Sequence, residues 1–133
     1  MIIDYKKGQN ILNSGETRIA FAVNAEGFND AGFAGVVARN YWPELANTGP
    51  QQLGTVLTKA CFGVTFYGLV CQSLEHGWKD QAKIIKECFD KIELDEHVAS
   101  ISIGTGLIGI LSGADFSQIK QGMENSNTKI VLY

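Results

Sequence analysis

Apolar positions along this chain follow two rhythms. Short runs rich in β-branched and aromatic residues predict strands over residues 2–5, 18–23, 54–60, 64–71, 98–103 and 129–133. Phe62-Gly63 falls between two of these runs and predicts a turn joining antiparallel strands. Three other segments repeat at helical spacing. Ala34, Val37, Ala38, Tyr41 and Leu45 share one face, with Pro43 breaking the last turn. Ile85, Cys88, Phe89 and Ile92 form a second stripe behind Asp80, and Phe116, Ile119 and Met123 a third behind Asp115, each aspartate standing where a helix is capped. The order β, β, α, β, β, α, β, α, β predicts an α/β fold, a three-layer α/β/α sandwich with a mixed central sheet of about six strands. The last run, "KIVLY", is apolar along its length, as a strand inside a sheet is.

Composition narrows the class. With 133 residues, 45% of them hydrophobic, the chain suits a single domain over 1–133 with one packed core. The net charge of −3 and the scattered basic residues argue against binding a nucleic acid duplex. No apolar run approaches the ~20 residues of a membrane span. "MIIDYKKGQN" lacks the basic-then-apolar order of a signal peptide, so the expectation is a soluble, cytoplasmic protein. Cys61, Cys71 and Cys88 lack C-x-x-C spacing and read as buried small hydrophobes in a reducing compartment. His76 and His97 sit in no metal-ligand pattern, so neither a metal nor a cofactor is expected.

The candidate chemistry lies in glycines. Gly104, Gly106 and Gly109 make a G-x-G-x-x-G behind a predicted strand. A dinucleotide fold needs that loop after its first strand, with βαβ units behind it. Here one helical pattern and one short strand follow, so the position is wrong for that fold. A second loop, "NAEGFNDAGFAG" over residues 24–35, runs from a strand into the first helix. Both loops offer unobstructed N–H groups, and a helix start carries partial positive charge, so an anion there needs no lysine. Two such loops side by side would grip a diphosphate.

A strand ending in V-N-A, a glycine-rich loop opening a helix, and a late strand ending in T-G-x-x-G together resemble the macro domain family. The resemblance extends to "KKGQNIL" near the start, to the acid–aromatic pair Asp115-Phe116 and to the closing "KIVLY". It implies a macro-domain-like fold and a cleft for ADP-ribose or a related nucleotide. By resemblance, Gln9, Asn10 and Ile11 would stand at the base and Asn24 would approach the distal ribose. Gly32, Phe33 and Ala34 would wrap the diphosphate, and Gly104, Thr105, Gly106, Leu107, Ile108 and Gly109 would form the opposite wall.

The chain departs from the family in places that bear on chemistry. Gln9-Asn10 replaces the adenine-reading acid, and an amide can bond a base through either its carbonyl or its NH₂. No lysine stands at the strand end where hydrolase relatives carry one, and Ile108 lies near the place of their aspartate. Phe21 stands where phosphatase relatives carry a histidine. The carboxylates left near the site are Glu26 and Asp30; either could orient a water, Asp30 being the candidate catalytic residue, although a solvated loop acid is the commoner explanation of such residues. Three readings follow: a binder of ADP-ribose or a relative, a hydrolase of ADP-ribose 1″-phosphate or of ADP-ribosylated protein, and a protein–protein module with a vestigial cleft. Oligomeric state has no signature in the chain.

Overall fold

The structure is a computed structural model that describes residues 1–92 and 95–133 and, of residues 107 and 108, the backbone alone. Six strands are present among the described residues: β1 (Ile2–Tyr5), β2 (Arg18–Asn24), β3 (Val56–Cys61), β4 (Val64–Gln72), β5 (Val98–Ser100) and β6 (Ile130–Leu132). They lie in one sheet in the order β1-β6-β5-β2-β4-β3. Among these strands the β3–β4 pair is antiparallel and the other four pairs run parallel. Its hairpin turns at Phe62 (φ 52) and Gly63 (φ 77), two left-handed residues of the kind a tight hairpin requires. β6 is buried along its length between β1 and β5.

Alternation of side chains gives the sheet two apolar faces. Ala20, Leu69, Cys71, Val98, Ile130 and Leu132 face α2 (Gln81–Asp90) and α4 (Phe116–Asn125). Ile19, Phe21, Val23, Phe66, Val70 and Ala99 face α1 (Gly32–Asn40). Phe21 is the centre of this second core: the rings of Phe33, Trp42 and Phe66 surround it at 5.6, 6.5 and 6.3 Å. Full burial of such a ring contributes about 1.5–3 kcal/mol. The contact with Phe33 also sets where α1 begins, and so positions one wall of the cleft described below.

Several expectations are corrected. β5 ends at Ser100 rather than continuing to 103, because the chain turns through residues 102–105, where Thr105 N–H reaches the Ser102 carbonyl. A short helix, α3 (Leu107–Leu111), follows where a bare loop was read. Asp80 does precede α2, but with φ 44 and no capping bond from its side chain. Asp115 caps α4 as expected, accepting from the Ser117 and Gln118 N–H groups. Phe116, read as part of the α4 stripe, is exposed, and Cys61 is only half-buried. No helix among the described residues is long and apolar enough to cross a membrane.

Candidate functional site

A cavity of about 710 Å³ opens at the carboxyl ends of β2, β4, β5 and β6. That is where α/β sheets collect ligands, and the size suits a small organic molecule. The strand ends form its floor from Tyr133, beyond β6, through Ser102, beyond β5, to Asn24 on β2 and Gln72 on β4. Three strand spacings separate the first from the last, roughly 14 Å.

The two glycine-bearing loops stand on either side. Gly32, Phe33 and Ala34 line one wall, at the start of α1. Ala31, at the N-cap of that helix, offers no side-chain cap, so the first-turn N–H groups have no side-chain partner. Gly104, Thr105, Gly106 and Gly109 line the other wall. The side chains of Leu107 and Ile108 lie outside the described residues. Gln9, Asn10 and Ile11 do not line this cavity: the Asn10 side chain accepts from Leu12 N–H at the start of a 3₁₀ turn, and Ile11 is buried in the α1-side core.

The three glycines of G-x-G-x-x-G divide by role. Gly104 has φ +81, and a Cβ there would stand 2.7 Å from Ile119 and 2.9 Å from Ala114. A Cβ on Gly109 would stand 2.8 Å from the Gly104 carbonyl oxygen. Both therefore shape the loop itself. A Cβ on Gly106 would meet nothing within 4 Å, so that position faces open space.

The polar side chains of the cavity are mostly committed within the protein. Asn24 Oδ1 accepts from Gly27 N–H (2.8 Å) and Phe28 N–H (3.0 Å), and its Nδ2 donates to the Phe28 carbonyl (2.6 Å). Asn24 is thus first a clamp on its own loop, with one N–H left over. Asn29, buried beside it, accepts from Asn24 N–H and donates to the Leu45 carbonyl. Ser102 Oγ donates to the Tyr133 carbonyl, and Thr105 Oγ1 to the Ser102 carbonyl. Trp78 Nε1 donates to Ser112 Oγ at 2.8 Å, tying the segment after β4 to α3. Trp78 also lines the cavity.

Two carboxylates show opposite characters. Glu26 accepts from Ser73 Oγ (2.7 Å) and Leu74 N–H (2.6 Å), stapling the loop after β2 to the loop after β4. Burial works against its charge, but these donors outweigh it and hold the carboxyl below its usual range. Asp30 is exposed at the cavity rim and its carboxylate makes no hydrogen bond among the described residues; the Arg39 guanidinium reaches only its backbone carbonyl. At the far end, the Tyr133 hydroxyl donates to Glu16 Oε2 (2.7 Å), whose other oxygen meets His97 Nε2 (2.7 Å). Burial, and then the Glu16 carboxylate, push the phenol up, so it stays neutral and donating at pH 7.

Gln72 and Asn29 are cavity residues that sequence reasoning missed. Gln72 ends a strand read as stopping at Cys71, and no glycine or charge marks it. Asn29 had a signal, since an asparagine inside a glycine-rich loop is a natural loop clamp.

A six-stranded, mostly parallel sheet with helices on both faces is the macrodomain fold. The macrodomain of Mycobacterium tuberculosis DarG superposes with a TM-score of 0.73 at 18% identity, covering 100% of this chain and 97% of that one. Alphavirus P23pro-zbd superposes with a TM-score of 0.68 at 16% identity, covering 98% of this chain, which spans only 21% of that longer one. The Trypanosoma brucei macrodomain in complex with ADP superposes with a TM-score of 0.52 at 15% identity, covering 89% of this chain and 57% of that one. By sequence, the chain matches neither a family model nor a curated protein.

Proposed function

We propose that the cleft binds ADP-ribose or a closely related nucleotide diphosphate. The observation that carries this reading is the pair of glycine-bearing loops facing each other across the cavity, with N–H donors on both walls. No lysine or arginine stands among the described lining residues, so neutral N–H donors, the backbone amides of the two loops first, are what would meet phosphates. The Trypanosoma brucei macrodomain, solved with ADP, supports a nucleoside diphosphate as the ligand class. The base lies toward Tyr133, whose ring offers a stacking face, and the distal ribose lies toward Asn24. The protein acts as one domain over residues 1–133, and its free cysteines favour a reducing, cytoplasmic setting.

Titration calorimetry with ADP-ribose, its 1″-phosphate and ADP tests the reading; micromolar binding is expected. A ligand at a hundred times its Kd should also add about 2.7 kcal/mol of stability. Heatless titrations with all three, and no shift in melting, would leave a vestigial cleft as the better account. A second reading, slow hydrolysis, rests on the uncommitted Asp30 carboxylate at the rim.

A further inference from the structure

The lining of the cleft holds eight side chains with polar atoms, and their bonds decide which of them a ligand can use. Asn24 and Asn29 are held by the loop they build. The hydroxyl donors of Ser102, Thr105 and Tyr133, and the indole N–H of Trp78, are directed to protein acceptors. Asp30 can only accept. Gln72 differs from all of these. Its backbone carbonyl accepts from Ala25 N–H at 2.8 Å, which fixes the end of β4 beside β2. Its carboxamide makes no hydrogen bond among the described residues, although the side chain is half-buried in the cleft. A half-buried amide with no internal partner either meets water or meets a ligand.

We infer that Gln72 is the specificity-determining residue for the sugar at the inner end of the cleft, reading a pair of neighbouring hydroxyls. The inference rests on the binding function proposed above and adds the group that recognises the terminal pentose. A carboxamide presents a donor and an acceptor side by side, which matches a vicinal diol, where one hydroxyl accepts and the other donates. It carries no charge, so it suits a sugar better than a phosphate, which the glycine loops already serve. Its location agrees: Gln72 is the register partner of Asn24, at the opposite end of the floor from Tyr133.

The test compares ADP-ribose with ADP, which lacks the terminal sugar, by calorimetry on the wild type, Gln72→Leu and Gln72→Asn. Leucine keeps the bulk and removes both polar atoms; asparagine keeps the chemistry but withdraws it by one methylene. Two neutral hydrogen bonds correspond to about a tenfold loss. ADP-ribose binding should therefore weaken about tenfold in each variant, while ADP binding stays within about twofold. Melting temperatures should match the wild type, because the Gln72 side chain holds nothing inside the chain. Equal losses for both ligands, or no loss for either, would overturn the inference and leave the binding function standing. So would a wild type that binds ADP and ADP-ribose equally well. A wild type that binds neither ligand would end the functional reading, and the role of Gln72 with it.

Discussion

Asn24 and Phe28 are joined twice. The Asn24 Nδ2 donates to the Phe28 backbone carbonyl at 2.6 Å, and Phe28 N–H donates back to Asn24 Oδ1 at 3.0 Å. The asparagine expected to meet a ribose is therefore also what holds the loop in shape. Asn24→Ala would strand Phe28 N–H and leave Gly27 N–H only its longer contact with the Asn24 backbone carbonyl (3.3 Å), and a lost partner costs about 1–3 kcal/mol. The variant should lose about 1–3 kcal/mol in urea denaturation, with or without ligand. A variant as stable as the wild type that had merely lost affinity would show that the clamp contributes nothing.

The glycines of the second loop should separate folding from binding. Gly106→Val places its side chain in open space, so it should melt like the wild type but bind at least tenfold more weakly, because the β-branched group occupies the phosphate approach. Gly109→Ala drives a methyl into the Gly104 carbonyl and should lower stability by about 1–3 kcal/mol. Thermal melts paired with ADP-ribose titrations of both variants give the comparison. The reverse assignment of the two effects would refute the division of roles.

Glu26 makes the loop after β4 sensitive to acid. Its folded pKa lies below its ordinary value of 4.5, so its contribution is complete above that value and is lost as pH falls through the folded one. Glu26→Gln should cost about 1–2 kcal/mol at pH 7, since bonds to a charged acceptor are the stronger ones. Urea midpoints measured from pH 7 to pH 3 should show the two proteins converging at the acid end. A constant gap would assign the effect to shape rather than charge.

Selection for adenine should be weak. Asp30 is the one acid among the described lining residues and stands beside the α1 wall, Gln9 and Asn10 do not line the cleft, and a tyrosine ring stacks on any base. ADP and its guanine and uracil counterparts should bind within about tenfold of one another, and Tyr133→Ala should weaken all three by about 1–3 kcal/mol. A hundredfold preference for adenine would point to another group reading the base.

Turnover should be slow. A positioned general base contributes about 10²–10⁴-fold, and Asp30 is the carboxylate at the rim with no internal partner among the described residues. Charge developing on a leaving group would meet neutral N–H donors and no cationic side chain among the described lining residues. Release of phosphate from ADP-ribose 1″-phosphate, or of ADP-ribose from modified protein, should stay below about one per second and fall further in Asp30→Ala. Faster turnover that survives Asp30→Ala would mean a different group carries the chemistry.

Much of the architecture was legible because burial writes itself into periodicity. The stripe Ile85, Cys88, Phe89 and Ile92 is buried in full, and the apolar "KIVLY" places β6 between two neighbours as expected. Phe116 misled because an apolar residue at the first turn of a helix can extend past the core it points toward. α3 escaped because Gly109 lies within it, and glycine argues for a loop unless packing overrides it. At the site, the glycine walls were visible as composition. The commitments of Asn24 and Glu26 were not, because a polar side chain in a loop gives no sequence sign of whether it faces a ligand or its own backbone. Gln72 was silent for the same reason.

β1 touches the sheet through β6 alone, so residues 2–5 find their place only when residues 130–132 have found theirs. This contact spans almost the whole sequence, and closing so long a loop is slow relative to the local β3–β4 hairpin. β1 should be the last strand to dock during refolding. Its amide protons should gain protection only after those of β4, in pulsed hydrogen exchange. A chain interrupted anywhere before β6 would carry an N-terminal segment with no neighbour, its backbone groups open to any passing strand.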